Sequence, residues 1–388
     1  MLPKWIQQFL EQNKRAPQSK TEPSVTSSGS QSTHHHVQRQ AKPGQSIPPN
    51  FRPQRSPRRN PNHVQIMRIP QIEQKATPEP LVLYLQGIEL GDPNLFESLS
   101  VVPLYQREPP KTNYYLLDHA LETGGFKIEE VSENGQVPFL KAQNDLDIPV
   151  LILDGEELIG AKQNRIANAS FLIPPQTVLE FPVSCVEKGR WAYRDKRFKT
   201  GNSIYGARAR RRKHLTVTQN IRKTQSFSSN QGQVWKDVQS YINKSKTTTG
   251  TQCYSDYLRQ RQDDIDAYRE ALPYQQEQIG QLVFLNEQFL AIDCLNQADK
   301  AQHIYPKMMS SYTQEALDPL EKQRTVKELS QGEGGQKIFE RLWQMTAEKR
   351  SSVGWGHDLR FEDELLTGSA LVYNGQLLHL EVFPNLKD

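Results

Sequence analysis

The feature that most constrains the fold is the uneven distribution of proline and charge along the 388 residues. The first 80 residues contain 12 of the 25 prolines, together with 12 basic and 4 acidic side chains. Such a segment buries too little apolar surface to offset the entropy of ordering it, so we expect residues 1–78 to be a disordered basic tail. The rest of the chain, with 36 basic and 40 acidic side chains, is long enough for one large or two modest domains.

Several classes of protein are disfavoured by what the sequence lacks. No stretch approaches the roughly 18 consecutive apolar residues of a membrane helix, and the first residues lack the apolar core of a secretion signal. The cysteines Cys185, Cys253 and Cys294 include no C-x-x-C pair, so we expect neither a disulfide framework nor a zinc ribbon. We predict a cytoplasmic protein without a transmembrane segment, a metal centre or a cofactor.

The predicted tail carries one apolar stripe near its start. Trp5, Ile6, Phe9 and Leu10 fall on one face of a short helix. Such a helix on a flexible tether either contacts a protein partner or a membrane surface, or forms only transiently, with no partner.

Hydrophobic periodicity predicts an α+β fold. Residues 79–200 contain short strand patterns between turn residues, including one at 81–85, which is typical of an antiparallel, sandwich-like part. Residues 201–388 alternate helical segments with β-hairpins. The expected helices cover residues 231–244, 254–272, 298–316 and 337–349, and the clearest hairpin turn is Asn374-Gly375.

The densest polar sequence of the predicted domain spans residues 154–168. We do not expect it in the middle of a buried sheet, because buried charges without partners are costly. It therefore forms either an exposed turn with local ion pairs or the lining of a pocket for a phosphate, carboxylate or ribose group. Its candidate site residues are the acid Glu157 and the donors Lys162, Gln163, Asn164 and Arg165.

A second cluster, residues 184–191, leaves a predicted strand and enters a glycine turn. Glu187 is a second candidate acid or base, and Arg190 and Trp191 together suit an anion and an aromatic ring or sugar. In the alternative, Glu187 pairs with Arg190 only to brace two strands. Cys185 lies in an apolar run, which favours a buried structural thiol over a nucleophile.

Ten basic side chains and one acid fall between residues 190 and 213. This stretch either contacts phosphates or forms a solvated basic loop leading into a helix. Because the sequence after residue 80 is net acidic, we predict that nucleic acid is not a partner.

Two of these clusters, with the end of the chain, resemble a bacterial domain family. The segments are GEELIGAKQNR at 155–165, FPVSCVEKGRW at 181–191, YPKMMSSYTQEAL at 305–317 and LTGSALVYNGQLLHLEVF at 366–383. They resemble the ARG and rhodanese-phosphatase-superfamily-associated protein domain, from Leu81 to Pro384. The resemblance implies that residues 79–200 and 201–388 are two parts of one domain. The name reflects association with ADP-ribosylglycohydrolases and rhodanese-like phosphatases, so the resemblance implies a nucleotide or ADP-ribose-like ligand. It supplies no catalytic residues to carry over.

These observations leave two hypotheses for the function. In the first, a polar pocket binds a phosphorylated or nucleotide-like ligand, and whether a reaction follows stays open. Its residues are, by role, Lys162, Arg165 and Arg190 for the anion, Gln163 and Asn164 for a sugar or base edge, Trp191 for stacking, and Glu157 or Glu187 for acid–base chemistry. In the second, a non-enzymatic interaction or regulatory module uses the same surface and the basic tail.

Overall fold

The computed structural model describes residues 72–76, 79–107, 112–133, 135, 137–246, 248–318 and 335–386. Eight helices and three sheets form within these ranges, which confirms the predicted α+β class. The helices are α1 Glu79–Gln86, α2 Leu117–Glu122, α3 Ala207–Thr224, α4 Gln231–Lys244, α5 Tyr254–Arg259, α6 Gln262–Ala271, α7 Ala298–Ala316 and α8 Gly335–Gln344. None of these helices is long and apolar enough to cross a membrane.

A ten-stranded sheet draws strands from both ends of the chain. Its strands are β1 Ile72–Ala76, β2 Ile88–Leu90, β3 Asn94–Phe96, β4 Leu99–Gln106, β14 Gly280–Leu285, β15 Gln288–Leu295, β16 Ala347–Ser351, β17 His357–Glu362, β18 Leu366–Tyr373 and β19 Gln376–Pro384. The order is β1-β16-β17-β18-β19-β15-β14-β4-β2, and β3 also pairs with β4. The β4–β14 pair therefore links the parts predicted at 79–200 and 201–388.

The first strand of this sheet lies inside the segment predicted to be a tail. β1 pairs antiparallel with β16. Residues 1–71 and 77–78, which include the Trp5 stripe, lie outside the described residues.

A six-stranded sheet carries the polar clusters singled out in the sequence. Its strands are β6 Phe126–Glu130, β7 Phe139–Asn144, β9 Glu156–Gly160, β10 Arg165–Ala167, β12 Thr177–Cys185 and β13 Phe198–Ile204, in the order β13-β9-β10-β12-β7-β6. A bridge between Glu129 and Arg197 brings its two edges together. A small third sheet consists of β5 Tyr115–Leu116, β8 Val150–Ile152 and β11 Phe171–Ile173.

Helices fill the space between and around the two large sheets. Met308, Met309 and Tyr312 of α7 are buried against the ten-stranded sheet, and α7 also contacts β13 of the other sheet. The helices α1 and α8 cover a second apolar core on the ten-stranded sheet. A further core joins α3, α4, α5 and α6 to Ile166 and Val186.

Three local predictions differ from the structure. Residues 81–85 lie in α1, not in a strand. Leu81, Tyr84 and Leu85 are buried while Leu83 is exposed, and a short apolar run cannot distinguish this helical face from a strand. Residues 254–272 form two helices, since the chain turns between α5 and α6, and residues 337–349 end in β16. The helices at 231–244 and 298–316 and the hairpin turn at 374–375 are confirmed.

Candidate functional site

The polar segment 154–168 crosses the middle of the six-stranded sheet. Here β9 pairs with both β13 and β10, and all residues of the segment except Ile159 are buried. The expectation that such a sequence would avoid a buried sheet is wrong. Side chains from distant parts of the chain hydrogen-bond most of its polar groups, which offsets the cost of burying them.

Two of the three acids in this segment have a lysine partner. Lys213 Nζ on α3 donates to both carboxylate oxygens of Asp154, at 2.8 and 2.7 Å. Lys307 Nζ on α7 donates to Glu156 at 3.0 Å. The two lysines therefore bind helices α3 and α7 to the centre of the sheet.

Glu157, the third acid, is bound by hydroxyl groups instead. Ser203 Oγ on β13 donates to it at 2.7 Å, and Ser255 Oγ on α5 donates to its other oxygen. Gly201 gives this side chain room, because a Cβ there would lie 2.8 Å from Glu157 Oε2. Burial raises the pKa of Glu157, and the serine hydrogen bonds oppose the rise. Glu157 also lines a cavity of about 170 Å³.

Glu187 and Arg190 form a buried ion pair, which we call the brace. Arg190 donates to the two oxygens of Glu187 at 2.9 and 2.6 Å, to Asn164 Oδ1 at 3.1 Å, and to the carbonyls of Gly160 and Ala161. The guanidinium is thus surrounded by acceptors from β9, from the β9–β10 turn and from its own loop.

Asn164 connects the brace to Glu157. Its backbone N–H donates to Glu187 at 3.1 Å, and its side-chain amide donates to Ser255 Oγ at 2.9 Å. Burial alone would raise the pKa of Glu187, but hydrogen bonds from Arg190, Thr251 and the Asn164 backbone lower it. Two buried acids joined through one asparagine therefore have pKa values shifted in opposite directions.

Lys162, Arg165, Trp191 and Tyr193 form a separate group, the cation–aromatic cluster. Lys162 Nζ lies 5.3 Å from the Trp191 ring centroid and 5.1 Å from that of Tyr193. The guanidinium carbon of Arg165 lies 5.7 Å from the Trp191 ring. Trp191 is 47% exposed and Tyr193 is 46% exposed, whereas both cations are buried.

Arg165 has fewer hydrogen bonds than its burial would require. It donates to Gln163 Oε1 at 3.0 Å, and its Nη2 lies 3.7 Å from Glu130 Oε1. Its Nε and Nη2 make no hydrogen bond within the described residues. This guanidinium is therefore charge-compensated but not fully satisfied.

The strand register separates the predicted site residues into two places. Arg165 lies opposite Leu158 and Cys185, whereas Ile166 lies opposite Glu157. Since opposite residues share a face of the sheet, Arg165 and Glu157 point to opposite faces. The cluster contains Lys162, Arg165 and Trp191, with Gln163 beside them. Glu187 and Arg190 form the brace, to which Asn164 is hydrogen-bonded, and Glu157 faces the cavity.

A buried charge network lies beyond both clusters, and sequence reasoning missed it. Arg210 on α3 binds Asp293 on β15 through two hydrogen bonds of 2.7 and 2.8 Å. Its Nη1 also lies 3.7 Å from Glu381 on β19, which accepts a bond from Ser369. The prediction of a solvated or phosphate-contacting loop is wrong at this position, because Arg210 is fully buried in a helix.

The cysteines and candidate metal ligands show no reactive arrangement in the described part of the chain. All three cysteines are free and buried, and burial raises the pKa of the Cys185 thiol to about 11, as fits the predicted structural thiol. No group of three or more His, Cys, Asp or Glu side chains in these ranges is arranged to hold a metal ion.

Comparison with known families agrees with the motif pattern. Residues 87–383 match the ARG and Rhodanese-Phosphatase-superfamily-associated Protein domain. The chain belongs to this family. The match includes the brace, the cation–aromatic cluster and the cavity, so all three lie within the family domain. No curated protein and no solved structure matches the chain.

The pKa of Glu157 predicts how Glu157→Gln changes stability with pH. A carboxyl whose folded pKa lies above its usual value of 4.5 supports folding fully below pH 4.5 and loses that contribution as pH rises through the folded pKa. The loss is at most about 1.4 kcal/mol per pH unit. Glu157→Gln removes this titration, so in urea unfolding the variant should gain stability relative to the parent chain as pH rises from 4.5 to the folded pKa of Glu157.

Glu187→Gln is the matched control for this measurement. The pKa of Glu187 is lowered, so this group is ionised in both folded and unfolded chains above about pH 6. Relative to the parent chain, Glu187→Gln should therefore show no gain in stability as pH rises, and a constant effect above about pH 6. A Glu157→Gln effect that does not change between about pH 4 and pH 8 would contradict the raised pKa of Glu157.

Proposed function

We propose that this chain binds a phosphorylated, nucleotide-like small molecule at the cation–aromatic cluster. The observation that carries the proposal is the set of neighbours around the Lys162 ammonium. Within the described residues it has two aromatic rings as neighbours and no hydrogen-bonding oxygen. An ammonium on a largely buried lysine, between two partly exposed rings, offers a charge that an incoming phosphate can pair with.

Arg165 supports the same ligand chemistry from beneath Trp191. Its unbonded Nε and Nη2 are donors in the fork geometry that recognises phosphate oxygens. Leaving such donors unsatisfied in a buried place costs about 1–3 kcal/mol each. A bound oxyanion would supply acceptors, and Glu130 offsets only one of the two positive charges of the free site.

The aromatic rings support a base as the other half of the ligand. The Trp191 ring is 47% exposed, and Tyr193 flanks the same ammonium. Stacking of a base on such a ring contributes about 1–3 kcal/mol. Gly135 packs against the Lys162 side chain and the Trp191 ring, and a Cβ there would lie 3.2 Å from each. This close packing restricts the position of the ring.

The other predicted site residues enter this proposal differently. Gln163 orients Arg165. Asn164 and Arg190 position the turn that carries the cluster, because Asn164 is hydrogen-bonded to both residues of the brace. Neither Glu157 nor Glu187 contacts the cluster through a hydrogen bond, so the proposal is one of binding and assigns no reaction.

A thermal-shift series on the full chain tests this function. The ligands are AMP, ADP, ADP-ribose, NAD and a sugar phosphate, and the variants are Lys162→Ala and Trp191→Ala. A ligand at about 100 times its Kd should stabilise the folded chain by about 2.7 kcal/mol. Both variants should lose this stabilisation.

Lys188→Ala provides the control, because Lys188 also lies over a tryptophan, Trp235, at 5.6 Å, but outside the cluster. It should keep the ligand response of the parent chain. A response that survives Lys162→Ala and Trp191→Ala would overturn the proposal. So would the absence of any response, and that second outcome would favour an interaction module using the exposed Trp191 and Tyr193.

A further inference from the structure

The cavity beside Glu157 lies on the opposite face of the six-stranded sheet from Arg165. Strands β9 and β13 contribute Glu157 and Ser203 to its lining, and α5 and α6 contribute Ser255, Arg259, Ile265 and Arg269. It therefore combines a buried carboxyl with two guanidinium groups and aliphatic walls. No residue of the cation–aromatic cluster lines it.

We infer that this cavity is a second binding site, for a small oxyanion-bearing compound that Arg259 binds and the Glu157 carboxyl contacts. Arg259 donates one hydrogen bond to Asp256 Oδ1 at 3.1 Å, and 72% of its side chain is exposed. Most of its N–H donors therefore have no partner among the described residues. Arg269 is more fully engaged, with Asp266 and two backbone carbonyls, and adds positive charge to the lining.

The contrast among neighbouring acids supports a ligand role for Glu157. Asp154 and Glu156 are equally buried, yet each bonds a lysine. Among the residues that the structure describes, Glu157 has only two hydroxyl donors, and it lines a cavity. Its two oxygens already accept these bonds, so when the carboxyl is protonated its hydrogen is available to a ligand oxygen.

Binding of an anion here is coupled to protonation of Glu157. An ionised Glu157 repels the oxyanion, whereas the protonated group donates a hydrogen bond to it. The charged and titratable groups that face Glu157 from the surrounding elements are Lys307 on α7, Glu187 in the brace, Cys253 and Tyr254 at the start of α5, Arg259 with Asp256, and Arg269 with Asp266. Of these, only Glu157 combines a raised carboxyl pKa with a place in the cavity wall.

Isothermal titration of the full chain with inorganic phosphate and, separately, with malonate tests the site and distinguishes a phosphate from a carboxylate ligand. At least one anion should bind at millimolar concentration or below. Arg259→Ala should weaken its binding about tenfold or more. Arg261→Ala is the matched control, since Arg261 forms the same kind of ion pair with Asp264 at 3.0 Å but does not line the cavity; it should leave Kd unchanged.

The pH dependence supplies the second readout. Above the pKa of Glu157 the Kd of the parent chain should rise, by up to about tenfold per pH unit, and Glu157→Gln should bind with little dependence on pH. Equal weakening by Arg259→Ala and Arg261→Ala, or no binding of either anion, would overturn the inference. Lys162→Ala should leave this binding intact, so the result is independent of the nucleotide test.

Discussion

Arg210→Leu should destabilise the folded chain by about 3–5 kcal/mol in equilibrium unfolding. Arg210 is fully buried and binds both oxygens of Asp293, with Glu381 at 3.7 Å. The leucine leaves the buried Asp293 carboxylate without its main cation and removes a positive charge near Glu381, which His214 Nδ1 approaches at 3.4 Å. Tyr312 still donates to Asp293, but one hydroxyl cannot replace a guanidinium.

Arg222→Leu is the control, because it makes the same substitution on the same helix. Arg222 pairs with Glu348 and Glu362 at 3.1 and 2.9 Å, and its side chain is 37% exposed. Exposed ion pairs contribute about 0–1 kcal/mol, so its loss should be small. If the two variants were equally destabilised, the Arg210 network would not be the support between α3 and the ten-stranded sheet that its geometry indicates.

Buried ion pairs show why parts of the molecule were predictable from sequence and others were not. The turn at Asn374-Gly375 and the helices α4 and α7 follow from local signals, and all three are confirmed. The partners of the buried acids are not local. Lys213 is 59 residues from Asp154, and Lys307 is 151 residues from Glu156. Without those partners the segment 154–168 is typical of an exposed loop.

The geometry of the candidate site also depends on strand register and on contacts between distant residues. Sequence reasoning selected Glu157 and Arg165 for one pocket because both lie in one polar motif. The turn between β9 and β10 and the pairing of Ile166 with Glu157 place them on opposite faces of the sheet, and a difference of one residue in register would reverse this. Ser255, which donates a hydrogen bond to Glu157, lies 98 residues away. No spacing pattern in the sequence indicates this contact.

Arg190→Ala is the second substitution with a large expected effect. It also distinguishes the two roles predicted for this side chain, anion binding and pairing with Glu187. The structure gives Arg190 two hydrogen bonds to Glu187, one to Asn164 and several to backbone carbonyls. Truncation leaves the buried Glu187 carboxylate with only neutral donors and the more distant Arg194 at 3.5 Å. We expect a loss of about 3–5 kcal/mol at neutral pH in chemical unfolding.

Arg194→Ala separates this effect from a general loss of positive charge. Arg194 also pairs with Glu187, but its side chain is 50% exposed, so the expected loss is at most about 1 kcal/mol. Arg190→Lys should recover only part of the stability, because an ammonium cannot reproduce the forked contacts to Glu187 and Asn164.

Combining Arg190→Ala with Glu187→Gln tests the physical cause of the loss. If the cost comes from an uncompensated buried charge, neutralising Glu187 should restore part of it, and the two substitutions should be strongly non-additive. Additive losses, or an Arg190→Ala variant as stable as Arg194→Ala, would instead show that the guanidinium contributes little to the brace. Arg190 would then be available for the anion-binding role that the sequence motif suggested.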